Sequence, residues 1–216
     1  IKINAKLLYF SNPNNPMGTW MRGDKIVSLL EKLPDDCLLI LDEAYAEFAP
    51  NEAKVPILVD DPRLIRFRTF SKAYGIAGAR IGYGLGSREL IGEFDKIRNH
   101  FGNSLLSQVA AIAAIKDQKY LSDVVRKISL GREKIYQIAK LNGLTAIPSA
   151  TNFVAIDCGK DGNFATQVMN GLLEAKIFVR KPAVAPLDRT IRVTVGRDDD
   201  IELFKNVFPQ VLKALQ

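Results

Sequence analysis

The sequence contains few of the side chains that build metal sites and catalytic triads. Its 216 residues include one histidine, His100, and two cysteines, Cys37 and Cys158. Because no group of these residues has the spacing of metal ligands, we expect no metal site, and a single histidine argues against a Ser-His-Asp triad. Each cysteine lies in an apolar run, which is typical of a small buried side chain in a reducing compartment, although the sequence leaves a disulfide open. We therefore expect a cytoplasmic protein.

Long apolar runs are also absent. No run approaches the roughly 20 residues that cross a bilayer, and the first residues do not resemble a signal peptide. The formal net charge of +6 comes from scattered lysines and arginines without interleaved aromatic residues. This pattern gives nucleic-acid binding little support and suits a small anionic substrate. We expect neither nucleic acid nor a membrane as a partner.

Hydrophobic periodicity predicts two regions of different architecture. The predicted strands cover residues 7–10, 37–41, 64–69, 79–85, 152–157, 177–179 and 190–195, and the predicted helices cover residues 24–33, 87–98, 105–115, 120–141, 163–175 and 201–215. Continuous apolar runs such as residues 37–41 are typical of buried parallel strands with helices on both faces. We therefore expect an α/β fold: a mostly parallel sheet domain over residues 1–118 and a smaller α+β domain over residues 119–216.

The segment from Thr69 to Arg80 carries the strongest chemical signal. Lys72 follows two hydroxyl residues, Thr69 and Ser71, and precedes several small residues and an arginine, Arg80. Lysine is the side chain used for imine chemistry with carbonyl compounds and with pyridoxal phosphate (PLP). Small residues let a ligand approach the backbone, and arginine and hydroxyl groups donate to phosphate. The segment therefore predicts a reactive amine beside a bound phosphate.

Three further features are weaker when taken singly. Asp42 ends the most apolar strand, and ligands of open α/β sheets bind at the carboxyl ends of strands. Residues 12–16 form an Asn- and Pro-rich segment after the first strand, and Arg192 interrupts a strand that is otherwise suited to burial. Each feature also has a purely structural explanation. Asp42 could serve in a turn or as a helix cap, residues 12–16 could form an ordinary turn, and Arg192 could belong to an ion pair.

Taken in order, these motifs resemble one family. Asn15-Pro16-x-Gly18, Asp42-x-x-Tyr45, Thr69-x-Ser71-Lys72 and Arg80 are similar to the motifs of the fold-type I PLP-dependent aminotransferases, classes I and II. Residues 11–19 and 71–83 most resemble the histidinol-phosphate branch. The resemblance covers essentially the whole chain and implies a PLP-transferase-like sheet domain, present in part, followed by a smaller domain.

The resemblance implies a role for each residue that would contact the cofactor ring. Lys72 would form an imine with PLP and afterwards move the proton between the substrate and the cofactor. Asp42 would pair with the protonated pyridine nitrogen, because a carboxylate beside a cation favours the charged form of both. Asn15 and Tyr45 would donate hydrogen bonds to the phenolic oxygen of the ring.

The resemblance also implies which groups bind phosphate and substrate. Thr69, Ser71 and Arg80 would hold the cofactor phosphate. Arg192 would bind the acidic group of the substrate through its bidentate fork, and Arg180 would be a second anion-binding arginine.

The implied function is PLP-dependent transamination by a homodimer. The expected substrates are a small anionic amino compound, histidinol phosphate, and a 2-oxo acid, 2-oxoglutarate; the products would be imidazole-acetol phosphate and glutamate. Met17 replaces the usual threonine of the Asn-Pro turn, and residues 101–103 match the branch only in part. A threonine-phosphate decarboxylase-like lyase and an aromatic-amino-acid aminotransferase therefore stay open.

A non-catalytic, truncated fragment also stays open. The family has a long segment ahead of the residues that match this chain, and that segment carries the aromatic residue that stacks on the PLP ring. We therefore expect the 216 residues to be part of a longer protein.

Overall fold

The structure is a computed structural model that describes residues 4–56, 58 and 60–215. It divides into two compact units. The first unit contains the chain up to Pro13 and Trp20–Val125, and the second contains Asn14–Thr19 and the chain from Arg126 onward. The Asn14–Thr19 turn joins the second unit through a hydrogen bond of 2.8 Å from the Ala150 N–H to the Gly18 carbonyl. The predicted boundary at residue 118 stays a prediction.

The first unit is built on a four-stranded sheet with one antiparallel edge strand. The strands, in spatial order, are β1 (Leu7–Ser11), β2 (Leu38–Asp42), β3 (Leu64–Thr69) and β4 (Gly82–Gly86), and the helices are α1 (Gly23–Glu31), α2 (Arg88–Asp95) and α3 (Leu105–Lys116). Strands β1, β2 and β3 are parallel, and β4 runs antiparallel to β3. The predicted mostly parallel α/β sheet is confirmed.

The two faces of this sheet differ in burial. Leu39 and Leu41 of β2 are fully buried in a cluster with Ile26 of α1. On β1, by contrast, Leu7 is 61% exposed and Tyr9 is 62% exposed. The apolar run over residues 7–10 by itself predicts a buried strand, and that prediction is wrong, because an apolar run does not say whether helices cover one face or both.

The second unit has a three-stranded antiparallel sheet packed against helices. Its strands are β5 (Thr145–Ala146), β6 (Phe153–Asp157) and β7 (Thr190–Thr194). The remaining helices of the chain are α4 (Gln118–Leu141), α5 (Gly162–Glu174) and α6 (Asp198–Ala214), and the division between the two units lies within α4. Ile135, Val154, Val168 and Phe208 are buried in its core. The predicted smaller α+β part is confirmed.

One predicted strand of the second unit does not form. Residues 177–179 are not part of the sheet, and only Arg180 makes an isolated antiparallel bridge, to Arg192. Pro182 follows two residues later and has no N–H with which to extend the pairing.

Among the described residues, no helix combines the length and apolar character needed to cross a membrane.

Candidate functional site

The candidate site of the first unit lies at one edge of its sheet. Because β2 and β3 are parallel and Asp42 is in register with Phe67, their carboxyl ends meet at the same edge. Asp42 ends β2, Thr69 ends β3, and Lys72 follows in the next loop. The structure thus brings Asp42 to the same edge as Thr69 and Lys72, which lie about 30 residues later in the sequence.

Both carboxylate oxygens of Asp42 accept hydrogen bonds. Oδ1 accepts from the Ala44 N–H at 2.9 Å, and Oδ2 accepts from the Tyr9 hydroxyl. Ser11 is in register with Asp42, so Tyr9 lies two residues back on the same sheet face. Desolvation of the phenol, together with the hydrogen bond and the charge of Asp42, raises the pKa of Tyr9 to about 12. No sequence motif singles out Tyr9; the parallel register of β1 and β2 identifies it.

Lys72 is held by its neighbours while its amine lies against an aromatic ring. Its Nζ is 5.4 Å from the centre of the Tyr45 ring, which is within the range of a cation–π interaction. Tyr45 is buried, as are Ala73 and Tyr74 immediately after the lysine. The Tyr74 ring packs on Phe70, with 4.9 Å between ring centres. These contacts fix the backbone on both sides of Lys72.

Thr69 and Ser71, the hydroxyl residues before Lys72, lie in a tight turn at the end of β3. The Ser71 N–H donates to Thr69 Oγ1 at 3.0 Å. Thr69 is in register with Gly82, and the Phe70 N–H donates to the Ile81 carbonyl at 3.2 Å. A Cβ at Gly82 would lie 2.5 Å from the Arg68 carbonyl oxygen, so this close pairing requires glycine.

Arg80 immediately precedes Ile81, whose carbonyl accepts from the Phe70 N–H. Its backbone is left-handed, with a φ of 50°, and its Nη1 donates to the Ala77 carbonyl at 3.0 Å. A Cβ at Gly78 would meet no described atom within 4 Å, so the backbone of this loop is open on that side. The loop therefore offers hydroxyl groups, a guanidinium group and accessible backbone.

A buried ion-pair network, centred on Glu43 directly after Asp42, joins the end of β2 to β3. Arg66 donates to both carboxylate oxygens of Glu43, at 2.7 and 2.9 Å, and Arg68 donates to Oε2 at 3.1 Å. Glu43 and Arg66 are 3% and 2% exposed. Nearby, burial and then the charge of Glu43 raise the pKa of Glu47, against the opposing charge of Arg68.

The remaining predicted site residues lie together in the second unit. Arg192 and Arg180 exchange backbone hydrogen bonds of 2.6 and 3.2 Å. The guanidinium of Arg192 lies 4.7 Å from the centre of the Phe153 ring and donates to the side-chain oxygen of Asn15. The structure therefore places Asn15 beside Arg192.

These arginines line a cavity of about 240 Å³ together with Pro16, Lys181 and Pro182. Three of the five lining residues are cationic and none is acidic, so the cavity suits an anion. Lys181, which the sequence analysis missed, also donates to the Asp188 carbonyl at 3.1 Å. Within the described part of the chain, no cluster of three or more His, Cys, Asp or Glu residues could hold a metal ion.

Residues 2–205 match the family described as aminotransferase class I and II. The chain belongs to the class I and II aminotransferase family. The resemblance drawn from the Asn15, Asp42, Lys72 and Arg80 motifs is therefore confirmed at the level of the family.

Relatives of this aminotransferase chain agree on the branch. The histidinol-phosphate aminotransferase of Geobacillus sp. (strain WCH70) is 39% identical over 215 residues, which are 98% of this chain and 58% of the relative. That of Bacillus velezensis is 35% identical, over 96% of this chain and 58% of the relative. The chain thus spans 58% of the length of these curated relatives.

A solved structure confirms the fold of the aminotransferase chain. Histidinol-phosphate aminotransferase from Sinorhizobium meliloti, in complex with pyridoxal-5'-phosphate, superposes with a TM-score of 0.97 and 49% identity. The match covers 100% of this chain and 59% of that one.

Proposed function

We propose that the protein to which this chain belongs is a PLP-dependent aminotransferase, which transfers the amino group of histidinol phosphate to 2-oxoglutarate. One observation carries the proposal: Lys72 lies against Tyr45 at the sheet edge that Asp42 also occupies, in a chain that belongs to the aminotransferase family. The identity of 35–39% with histidinol-phosphate aminotransferases supports the substrate.

The side chains of the first unit fit PLP chemically. The cofactor needs an amine for its aldehyde, a carboxylate for its pyridine nitrogen, and donors for its phosphate, and the sheet edge offers Lys72, Asp42, and the Thr69, Ser71 and Arg80 loop. When bound, PLP supplies an electron sink for the charge that develops at the substrate α-carbon.

Each of these residues has a definite task in the proposal. Lys72 would hold the cofactor through its amine, and once the amino group of the substrate has taken that place, the freed amine would remove the proton from the substrate α-carbon and pass it to the cofactor. Asp42 presents a carboxylate whose orientation two hydrogen bonds already fix. Thr69, Ser71 and Arg80 bind the phosphate through charge-assisted hydrogen bonds.

The residues of the second unit supply the binding of anions and of the ring oxygen. Arg192 and Arg180, with Lys181 beside them, concentrate positive charge in one cavity, which favours a doubly charged phosphate over a neutral group. Asn15 accepts from Arg192 through its oxygen, which leaves its amide nitrogen as a donor, and the family resemblance assigns that donor to the phenolic oxygen of PLP.

The proposal includes a cytoplasmic homodimer. Both cysteines, Cys37 and Cys158, are free thiols, as in a reducing compartment. The homodimer rests on the family resemblance, and light scattering of the purified protein measures it directly.

The reaction is tested with the purified protein, PLP and a panel of amino donors. We expect glutamate to form from 2-oxoglutarate with histidinol phosphate, and much less with histidinol or with aromatic amino acids. Release of CO₂ from threonine phosphate without a 2-oxo acid would instead select the lyase. Activity that is indifferent to the substrate phosphate would select an aromatic-amino-acid aminotransferase, and failure to bind PLP would select a non-catalytic chain.

The role of Arg192 is tested by a substitution that keeps its charge. Arg192→Lys removes the bidentate fork, so KM for histidinol phosphate should rise at least about tenfold. Arg189→Lys is the matched control in the same unit, since Arg189 pairs with Asp157 instead of lining the cavity. An equal change in both variants would contradict the assignment.

A further inference from the structure

The hydroxyl of Tyr9 donates to Oδ2 of Asp42, the carboxylate oxygen that accepts no hydrogen bond from the turn after β2. The Ala44 N–H, two residues after Asp42, binds Oδ1, whereas Tyr9 reaches Oδ2 from the neighbouring strand. Rotation of the carboxylate about its Cβ–Cγ bond would therefore break both hydrogen bonds. A phenol on a paired strand is a rigid donor, because its position depends on the register of β1 and β2 and on only two side-chain torsions.

We propose that Tyr9 is a positioning residue that fixes the Asp42 carboxylate, so that Asp42 meets the pyridine nitrogen of PLP in one orientation. The inference rests on the proposed function of Asp42 as the partner of that nitrogen. It assigns to β1 a part in the cofactor site that the motifs of the sequence do not indicate.

Two properties of Tyr9 suit this role. A hydroxyl that donates to a carboxylate makes a charge-assisted hydrogen bond, which is stronger than a bond between neutral groups. Desolvation, together with Asp42, raises the pKa of Tyr9 to about 12, so the hydroxyl is protonated and able to donate near neutral pH. The Tyr9 ring is exposed in the described chain, so removal of its hydroxyl creates no cavity in the core.

The test compares Tyr9→Phe with the unaltered protein in PLP binding, followed by the visible absorption of the bound cofactor. We expect the dissociation constant for PLP to rise roughly three- to tenfold, as the loss of one hydrogen bond to a charged group implies. We also expect the pH midpoint of the bound cofactor's absorption change to move, because the charge on Asp42 acts on the ring. Tyr136→Phe is the matched control, since its hydroxyl accepts from the Ser149 N–H at 2.7 Å in the second unit.

A double-mutant cycle distinguishes the inference from the proposed function. If Tyr9 acts through Asp42, Tyr9→Phe should change neither affinity nor spectrum once Asp42→Asn is present. An Asp42→Asn protein that binds PLP unchanged overturns the proposed role of Asp42. If Asp42→Asn weakens PLP binding and Tyr9→Phe does not, the role of Tyr9 is overturned and the role of Asp42 stands. The same holds if Tyr9→Phe has an equal effect with and without Asp42→Asn.

Discussion

At the scale of single residues, the buried carboxyl group of Glu47 makes the free energy of unfolding depend on pH. Its folded-state pKa is raised by burial, whereas in the unfolded chain a glutamate titrates near its ordinary value of about 4.3. Between these two pKa values the folded state binds more protons than the unfolded state. The free energy of unfolding therefore falls as pH rises through this window.

We predict that Glu47→Gln flattens this pH dependence, because glutamine cannot lose a proton. Urea denaturation at a series of pH values from about 4 upward measures the slope for both proteins. Glu52→Gln is the control, since Glu52 is exposed in the adjacent turn. Parallel curves for Glu47→Gln and the unaltered protein would show that the burial of Glu47 does not govern stability.

The sequence identifies some site residues and misses others for a physical reason. Lys72 is recognisable because the hydroxyls, small residues and Arg80 that suit its chemistry lie within one short segment. Tyr9 and Lys181 carry no local signal. Tyr9 becomes relevant only when the strand register sets it beside Asp42, and Lys181 only when it lines the same cavity as Arg192.

At the scale of elements, the Glu43–Arg66 pair connects the residue that follows β2 to the middle of the parallel strand β3. Both side chains are almost completely buried, so neither charge can be hydrated if the other is lost. Loss of one partner from such a pair costs about 3–5 kcal/mol.

We predict that Glu43→Gln lowers the free energy of unfolding by about that amount. Glu202→Gln, which removes a partner from the exposed Glu202–Lys205 pair of α6, should cost less than about 1 kcal/mol. Urea denaturation of the two variants makes the comparison. Similar losses in both would mean that the buried network contributes no more than a surface pair.

The elements themselves were predictable where the local pattern is strong. The structure has β3 over the predicted residues, Leu64–Thr69, and Ser87 caps α2 by accepting from the Leu90 N–H. The helix predicted from residue 24 begins one residue earlier, and Asp24, a residue type suited to capping, lies inside its first turn and accepts from Arg22. Residues 177–179 have a strand-like composition but no continuous partner, because sheet pairing depends on residues distant in the sequence.

At the scale of the whole molecule, the first unit exposes apolar side chains along α3. The residues of α3 that are more than half exposed are Leu105, Leu106, Val109 and Ile112. Contiguous apolar surface of this kind promotes association in water.

We predict that the 216-residue chain, prepared by itself, self-associates and binds a hydrophobic dye such as ANS. Val109→Lys should reduce both effects, whereas Gln108→Lys adds the same charge to a neighbouring exposed position and should reduce them less. Size-exclusion chromatography and dye fluorescence provide the readouts. A monomeric chain without dye binding would contradict the prediction.

The division of the molecule was not readable from the motifs. The Asn15 turn is early in the sequence yet belongs to the second unit, with Arg180 and Arg192, while Asp42 and Lys72 belong to the first. The family motifs preserve the order of these residues along the chain. They do not show which compact unit each residue joins, because that depends on contacts such as that between Gly18 and Ala150.

The assignment of PLP to Lys72 can be tested by trapping the cofactor on the protein. The purified protein is mixed with PLP, reduced with borohydride, digested and examined by mass spectrometry. We predict that the phosphopyridoxyl mass is found on Lys72, that Lys72→Ala abolishes both this label and the visible absorption band, and that Lys119→Ala retains both. A label on another lysine, or an absorption band that persists in Lys72→Ala, would contradict the claim.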